Sequence, residues 1–413
     1  MLKILTVVTK LTKGGTERAA QTFAEGYDKL GHESRVLALS SGERAYELDK
    51  KCINYWIGNL EPVIEQVVKW QPDIVHLHSH GLTLDFVLLL KNKLPQAIFC
   101  ETNVFSNPSP WENILKYSFQ LSSWCQWLYI KRGGDRNKSK ILSNPVNDAY
   151  FKHAEECSIS NFKDKYKLGE SIILGRIGQS AESKWSKYLI DIYENLKAQG
   201  DDVKLLLVNP PNSIINRVAD SIFKADVIII DRIIGDESLS VAYSTIDIFV
   251  LIAEQGESFG YVSAESMLCN TPVVALNTPW ADNSQSEVVG NNIGGLVAHN
   301  IKAMQECIEL LINDKDLRLN LGQKGKERII KKYNYIKLSQ QVVGYLHDDK
   351  STVDLYSGNE VEGYGDVSLL TNLLVKNVES RKLTRFTTGY SGYLQFFVML
   401  KNKFLLNFKV FQS

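Results

Sequence analysis

Residues 249–275 read FVLIAEQGESFGYVSAESMLCNTPVVA, and this stretch decides the fold. The apolar run 249–252 has the length and composition of a buried strand, and it ends in a short polar loop. A small turn follows at Ser258, Phe259 and Gly260, and then the pattern turns helical. Pro272 opens a second apolar run, Val273-Val274-Ala275. Glu257 and Glu265 bracket the turn with seven residues between them. A helix start offers unpaired backbone N–H groups and a partial positive charge to an anion. A carboxylate on each side can hold neutral hydroxyls. A nucleotide-sugar wants both, since its diphosphate suits the N–H groups and its sugar hydroxyls suit the carboxylates.

Strands and helices alternate outward from this stretch. On the N-terminal side, 2–8, 34–39, 74–78 and 97–101 predict strands, and 16–30, 62–70 and 83–90 predict helices. A second series runs through strands at 172–176, 203–208, 227–230 and 248–252, with a helix from about 185 to 198. Such alternation predicts α/β architecture with doubly wound parallel sheets. At 413 residues the chain has room for two such units. The pattern turns polar over 147–160, which places an N-terminal Rossmann-like domain at 1–155 and a C-terminal one at 156–345, facing a central cleft. Residues 346–413 form an extension, a polar linker followed by an amphipathic helix.

Lys plus Arg and Asp plus Glu both number 47, so the charge balance gives nucleic acid no special hold, and no nucleic-acid partner is expected. The six cysteines lack CxxC or metal-type spacing, which fits unpaired thiols in a reducing compartment. The first residues, MLKILTVVTK, are too short an apolar run for a signal peptide. No apolar run reaches the ~20 residues of a spanning helix. These features predict a cytoplasmic protein. From Arg381 onward there are six bases and no acid, and Phe397, Leu400, Phe404, Phe408 and Phe411 share a helical face. That tail could cover apolar surface, join two copies, or make peripheral contact with a membrane.

Further candidate residues stand at strand ends, where open α/β sheets bind ligands. Gly14 and Gly15 follow the first strand and let the backbone approach a phosphate or sugar closely; an ordinary tight turn explains them equally well. His78 ends the strand 74–78 on the same side as His76. Arg176 ends a strand and Lys184 precedes a helix, so both can reach one cleft; the bland alternative is a solvated pair of charges. Asn103 follows the strand 97–101, and Arg232 follows 227–230. There is no Walker P-loop, no dinucleotide GxGxxG and no GxSxG elbow. Alternation keeps His76, His78 and His80 from converging on one ion, so no metal is assigned.

Glu257, Ser258, Phe259, Gly260 and Glu265, with Pro272 to Ala275 behind them, resemble the Glu-x7-Glu signature of retaining glycosyltransferases of family 4, which have the GT-B fold. The resemblance covers about 1–347. It implies a metal-independent, cofactor-free hexosyltransferase moving a hexose from a nucleotide-sugar of the GDP-mannose or UDP-glucose type to a hydroxyl acceptor such as a glycan. It implies that Arg176 and Lys184 hold the donor diphosphate, Glu257 the hexose and Glu265 the ribose. It implies further that His78 lines the sugar pocket and that Gly14 and Gly15 form the family's Gly-Gly loop, followed here by Glu17 and Arg18. Ser258, Phe259 and Gly260 carry the turn against the donor, and Arg232 lies where relatives contact the base through the backbone. Many relatives have a histidine near Asn103, a departure that bears on the acceptor side. In the family's same-face mechanism the leaving phosphate takes the acceptor proton. A nucleotide-sugar epimerase, a sugar phosphorylase of GT-B-like fold and a non-catalytic sugar-binding protein remain alternatives.

Overall fold

The computed structural model describes residues 1–278 and 281–348. The sequence expectations for the linker and the basic aromatic tail lie outside the described residues. Two parallel sheets carry the architecture. The first comprises β1 (Lys3–Lys10), β2 (Glu33–Ser40), β3 (Asn54–Ile57), β4 (Ile74–His78), β5 (Ile98–Asn103), β6 (Leu115–Gln120) and β7 (Ser139–Ile141). Its strand order is β3-β2-β1-β4-β5-β6-β7. The second comprises β8 (Ile172–Ile177), β9 (Val203–Val208), β10 (Val227–Ile230), β11 (Ile248–Leu251), β12 (Val273–Leu276) and β13 (Gly295–Ala298), in the order β10-β9-β8-β11-β12-β13. We call each sheet with its helices a lobe.

Helices cover both faces of each sheet, which is why the central strands are near-continuous apolar runs rather than alternating ones. In the second lobe Leu174, Leu205, Leu207, Val250 and Val274 pack with helix residues such as Leu189, Ile192 and Met304. In the first lobe Leu5, Val7, Val75 and Leu77 face Ile64, Val67 and Leu90 on one side. On the other side Ile4, Ile74 and Phe119 meet Phe23 and Tyr27, and also Leu338 and Val342.

Those last two residues belong to the helix Tyr335–Leu346, which returns from the second lobe to pack on the helix Gly15–Lys29. Gly26 permits the approach, because a Cβ there would lie 2.1 Å from Ser339 Oγ. The helix ends one residue past the boundary read at 345, and its packing on the first lobe is a long-range contact that local pattern does not encode. The sequence pattern also passes over β3, β6 and β7, and the helices Arg44–Lys50 and Ser123–Lys131. They are short or only half covered, so their apolar periodicity is weak: β3 has no fully buried residue, and β7 spans three residues.

Candidate active site

Both sheets reverse direction of growth at one point, between β1 and β4 in the first lobe and between β8 and β11 in the second. Ligands of open α/β sheets bind beyond the carboxyl ends of such strands. In the second lobe β8 delivers Arg176, and the loop after β11 delivers Glu257. Lys184 arrives on a short turn of 3₁₀ helix, Glu182–Lys184. Its Nζ donates to Glu257 Oε2 at 2.7 Å, and Arg176 Nη2 lies 3.9 Å from Glu257 Oε1. Arg176 is only 1 % exposed. Its Nη1 donates to Ile177 O at 3.1 Å and its Nη2 to Lys184 O at 2.8 Å, so it shapes the loop that carries Lys184. Nε is buried with no partner. Burial pulls the guanidinium down from its ordinary value, and Glu257 opposes this. The arginine is thus a desolvated charge committed to backbone carbonyls, and Lys184 is the more accessible cation.

The loop from Gln255 to Glu257 is laid against the segment after β12. Asp282 N donates to Gln255 O, Ser284 N to Glu257 O, and Glu257 N to Gln285 Oε1, all within 3.1 Å. Gly256 adopts φ +65°, and a Cβ on it would meet Asp282 O at 1.9 Å. No residue but glycine fits there. Asp282 itself is pushed up to about 6 by burial, with Lys184 pulling it down and Glu257 pushing it further up. The helix Tyr261–Leu268 begins at Gly260, whose φ is +84°. Ser263 Oγ in its first turn is buried and unpartnered. Phe259 is buried under Tyr261 and Tyr333, with ring centroids 4.8 and 5.6 Å away, and supports the turn from below, while Ser258 is half-buried beside it.

Glu265 lies one turn further along this helix. Its Oε2 accepts from Tyr243 Oη at 2.7 Å, and its Oε1 accepts from Arg18 Nη1 of the first lobe. The Arg18 guanidinium sits 5.1 Å from the ring centroids of both Phe151 and Tyr261. Burial lowers its pKa, but Glu265, helped by Tyr261 and Asp236, leaves it raised overall. Arg44 stands in the same cluster and is lowered to about 10 by burial and by the like charge of Arg18. Gly14 lies under Glu17, whose Oε2 would be 2.0 Å from a Cβ there, and Gly15 faces the Tyr261 ring, 3.7 Å from where its Cβ would stand. Further contacts join the lobes. Glu287 accepts from the backbone N–H groups of Ser123 and Trp124, and Tyr261 Oη donates to Pro145 O.

Other sequence candidates end up elsewhere. His78 is fully buried with both ring nitrogens unpartnered, among Phe23 and His76, and burial holds it well below the ordinary histidine range. It does not open onto the cleft, because the helix Gly15–Lys29 covers its side of β4. Asn103 is buried too, donating to Asn107 O at 2.7 Å and to Glu101 Oε1 at 3.3 Å. Glu101 also accepts from Ser109, Trp111 and Ser118, so Asn103 belongs to a network that fixes the loop after β5. Arg232 is exposed beyond the edge strand β10, two strands from β8. Sequence reading gave no role to Asp282, Arg44 or Tyr243, which lack any motif. It noted Arg18 only as the base after the Gly-Gly loop. Among the described residues no group of three or more His, Cys, Asp or Glu could hold a metal ion, and no helix is long and apolar enough to cross a membrane.

Lys184, Glu257 and the open helix start lie within one segment. Residues 158–328 match the family model of the glycosyl transferases group 1. The matched segment contains β8 to β13 with Arg176, Lys184, Glu257 and Glu265. The capsular polysaccharide biosynthesis glycosyltransferase CapM of Staphylococcus aureus is 26% identical over 258 residues, which is 60% of this chain and 62% of CapM. An uncharacterized glycosyltransferase of Methanocaldococcus jannaschii is 35% identical over 91 residues, 22% of this chain and 24% of that one. The chain thus spans less than two thirds of the length of either relative. The structure of HepE from Anabaena, solved in complex with UDP, superposes with a TM-score of 0.71 at 17% identity, covering 84% of this chain and all of HepE. The fold is GT-B, two Rossmann-like lobes around a cleft.

Proposed function

We propose that the chain is a retaining glycosyltransferase that moves a hexose from a nucleotide-sugar to a hydroxyl acceptor such as a glycan. The observation that carries this reading is the Lys184–Glu257 pair, 2.7 Å apart, beside the start of the helix Tyr261–Leu268. Breaking the anomeric C–O bond builds positive charge on the sugar and negative charge on the departing diphosphate. The Lys184 ammonium and the N–H groups of the helix start oppose that negative charge, a contribution of about 3 kcal/mol for one well-placed donor. Arg176 adds a fixed positive charge from below and holds the Lys184 loop in place. Glu257 accepts hydroxyls of the hexose, and Glu265 accepts those of the ribose. The acceptor approaches from the first lobe, and the leaving phosphate oxygen takes its proton. Protein cations meet the diphosphate charge, so the reaction is proposed to need no metal. His78, sealed inside the first lobe, is left out of the contact set.

HepE of the same fold has been solved with UDP-glucose, which makes UDP-glucose the first donor to try, with GDP-mannose beside it. Incubation of the full chain with each donor and a panel of sugar acceptors in EDTA should yield one product with the donor's anomeric configuration. An epimerised nucleotide-sugar without transfer, or transfer only after a divalent ion is restored, would overturn the reading.

A further inference from the structure

Glu265 lies on the second lobe, yet one of its two carboxylate oxygens is held by the first. Arg18 reaches it from the helix Gly15–Lys29, directly after the Gly14–Gly15 turn, while Tyr243 of the second lobe holds the other oxygen. Several features distinguish this contact from a surface ion pair. The Arg18 and Glu265 side chains are 17% and 9% exposed. The guanidinium is flanked by the rings of Phe151 and Tyr261, each centroid 5.1 Å from Cζ. Tyr261 opens the same helix that carries Glu265, and its hydroxyl donates to Pro145 O at 3.0 Å. Arg44 repels Arg18 from within its own lobe, so Glu265 is the partner that offsets the Arg18 charge. Removing one member of such a desolvated pair leaves the other charge uncompensated.

We infer that Arg18 is a positioning residue for nucleotide binding. It fixes the Glu265 carboxylate across the cleft, so the ribose of a nucleoside diphosphate is held by the second lobe only while the first lobe is in place. The inference rests on the proposed role of Glu265 toward ribose. Each carboxylate oxygen has a second lone pair beyond the one used by Arg18 or Tyr243, and vicinal hydroxyls can donate to these. Held from both sides, the carboxylate meets the ribose without first being ordered.

The test is calorimetric titration of the full chain with UDP, GDP and ADP, and with the 2′,3′-dideoxy analogue of whichever binds. Arg18→Ala should weaken binding of the ribose nucleotide about tenfold or more, and Arg18→Lys should restore part of the loss. For the dideoxy analogue, Arg18→Ala and the wild type should bind alike. Arg18→Ala combined with Glu265→Gln should be less than additive. If Arg18→Ala proves unstable, Arg18→Gln serves in the same comparison. Equal weakening of ribose and dideoxy nucleotides, or no weakening in a folded variant, overturns the inference alone. A wild-type chain that binds none of the three nucleotides overturns the glycosyltransferase reading and this inference with it.

Discussion

The two lobes share the order of their first six strands and differ in what they do with polar side chains at the same edge. Each places its first strand beside its fourth, and each presents its polar residues near that junction. In the second lobe these residues converge: Lys184 and Arg176 both address Glu257. In the first lobe they turn inward. His78 is sealed with no partner, and Asn103 is tied into the Glu101 network. The first lobe instead reaches the cleft through Arg18, one turn past its Gly-Gly loop. A strand-end position therefore marks a residue as a candidate, and the packing above that position decides whether it faces the ligand or the core.

The largest break in this comparison should come from Lys184→Ala. Its side chain is 32% exposed, so folding should be little affected, while turnover should fall by about 10²–10³-fold with the loss of one charge-stabilising donor. Initial-rate assays alongside thermal melts would check this; a melting temperature that falls in step with activity would point to a structural role. Arg176→Ala should behave differently. Surface charges contribute little to folding, but at 1% exposure this residue is not one of them. Removing it leaves Ile177 O and Lys184 O without their donor and weakens the charge balance around Glu257. A stability loss of about 3 kcal/mol is expected, read from urea unfolding. A variant as stable as the wild type would show that its burial contributes nothing to the fold.

A smaller effect concerns Asp282. Burial raises its carboxyl from 3.8 to about 6. Between those values the folded chain keeps a proton that the unfolded chain has lost, so the stability present in full below pH 3.8 is lost as the pH rises through 6, above which the buried carboxylate opposes folding. Asp282→Asn should therefore raise stability at pH 8 by about 1–2 kcal/mol and change it little at pH 4. Melts at the two pH values would test the sign, and an equal gain at both would refute it. The smallest effect is expected at His78. His78→Leu removes two unsatisfied buried nitrogens, so stability should hold or rise by about 1 kcal/mol, with turnover unchanged. A large loss of turnover in a stable His78→Leu protein would return this residue to the sugar pocket and erase the contrast between the lobes.

Sequence by itself determined the alternation of strands and helices, because apolar runs flanked by turn residues are a local signal. It also determined the segment from Glu257 to Glu265, where chain spacing fixes both carboxylates around one helix start. For Arg176 and Lys184 it supplied the position at strand and helix ends, and the structure supplied the division of labour between a buried arginine and an accessible lysine. Tertiary structure alone decided the rest. Arg18 meets Glu265 across 247 positions of sequence, and the helix Tyr335–Leu346 returns to the first lobe. Asp282 gains its raised carboxyl from a loop zipped against its neighbour. Burial and long-range charge pairing depend on which surfaces close over a side chain, and no local spacing carries that information.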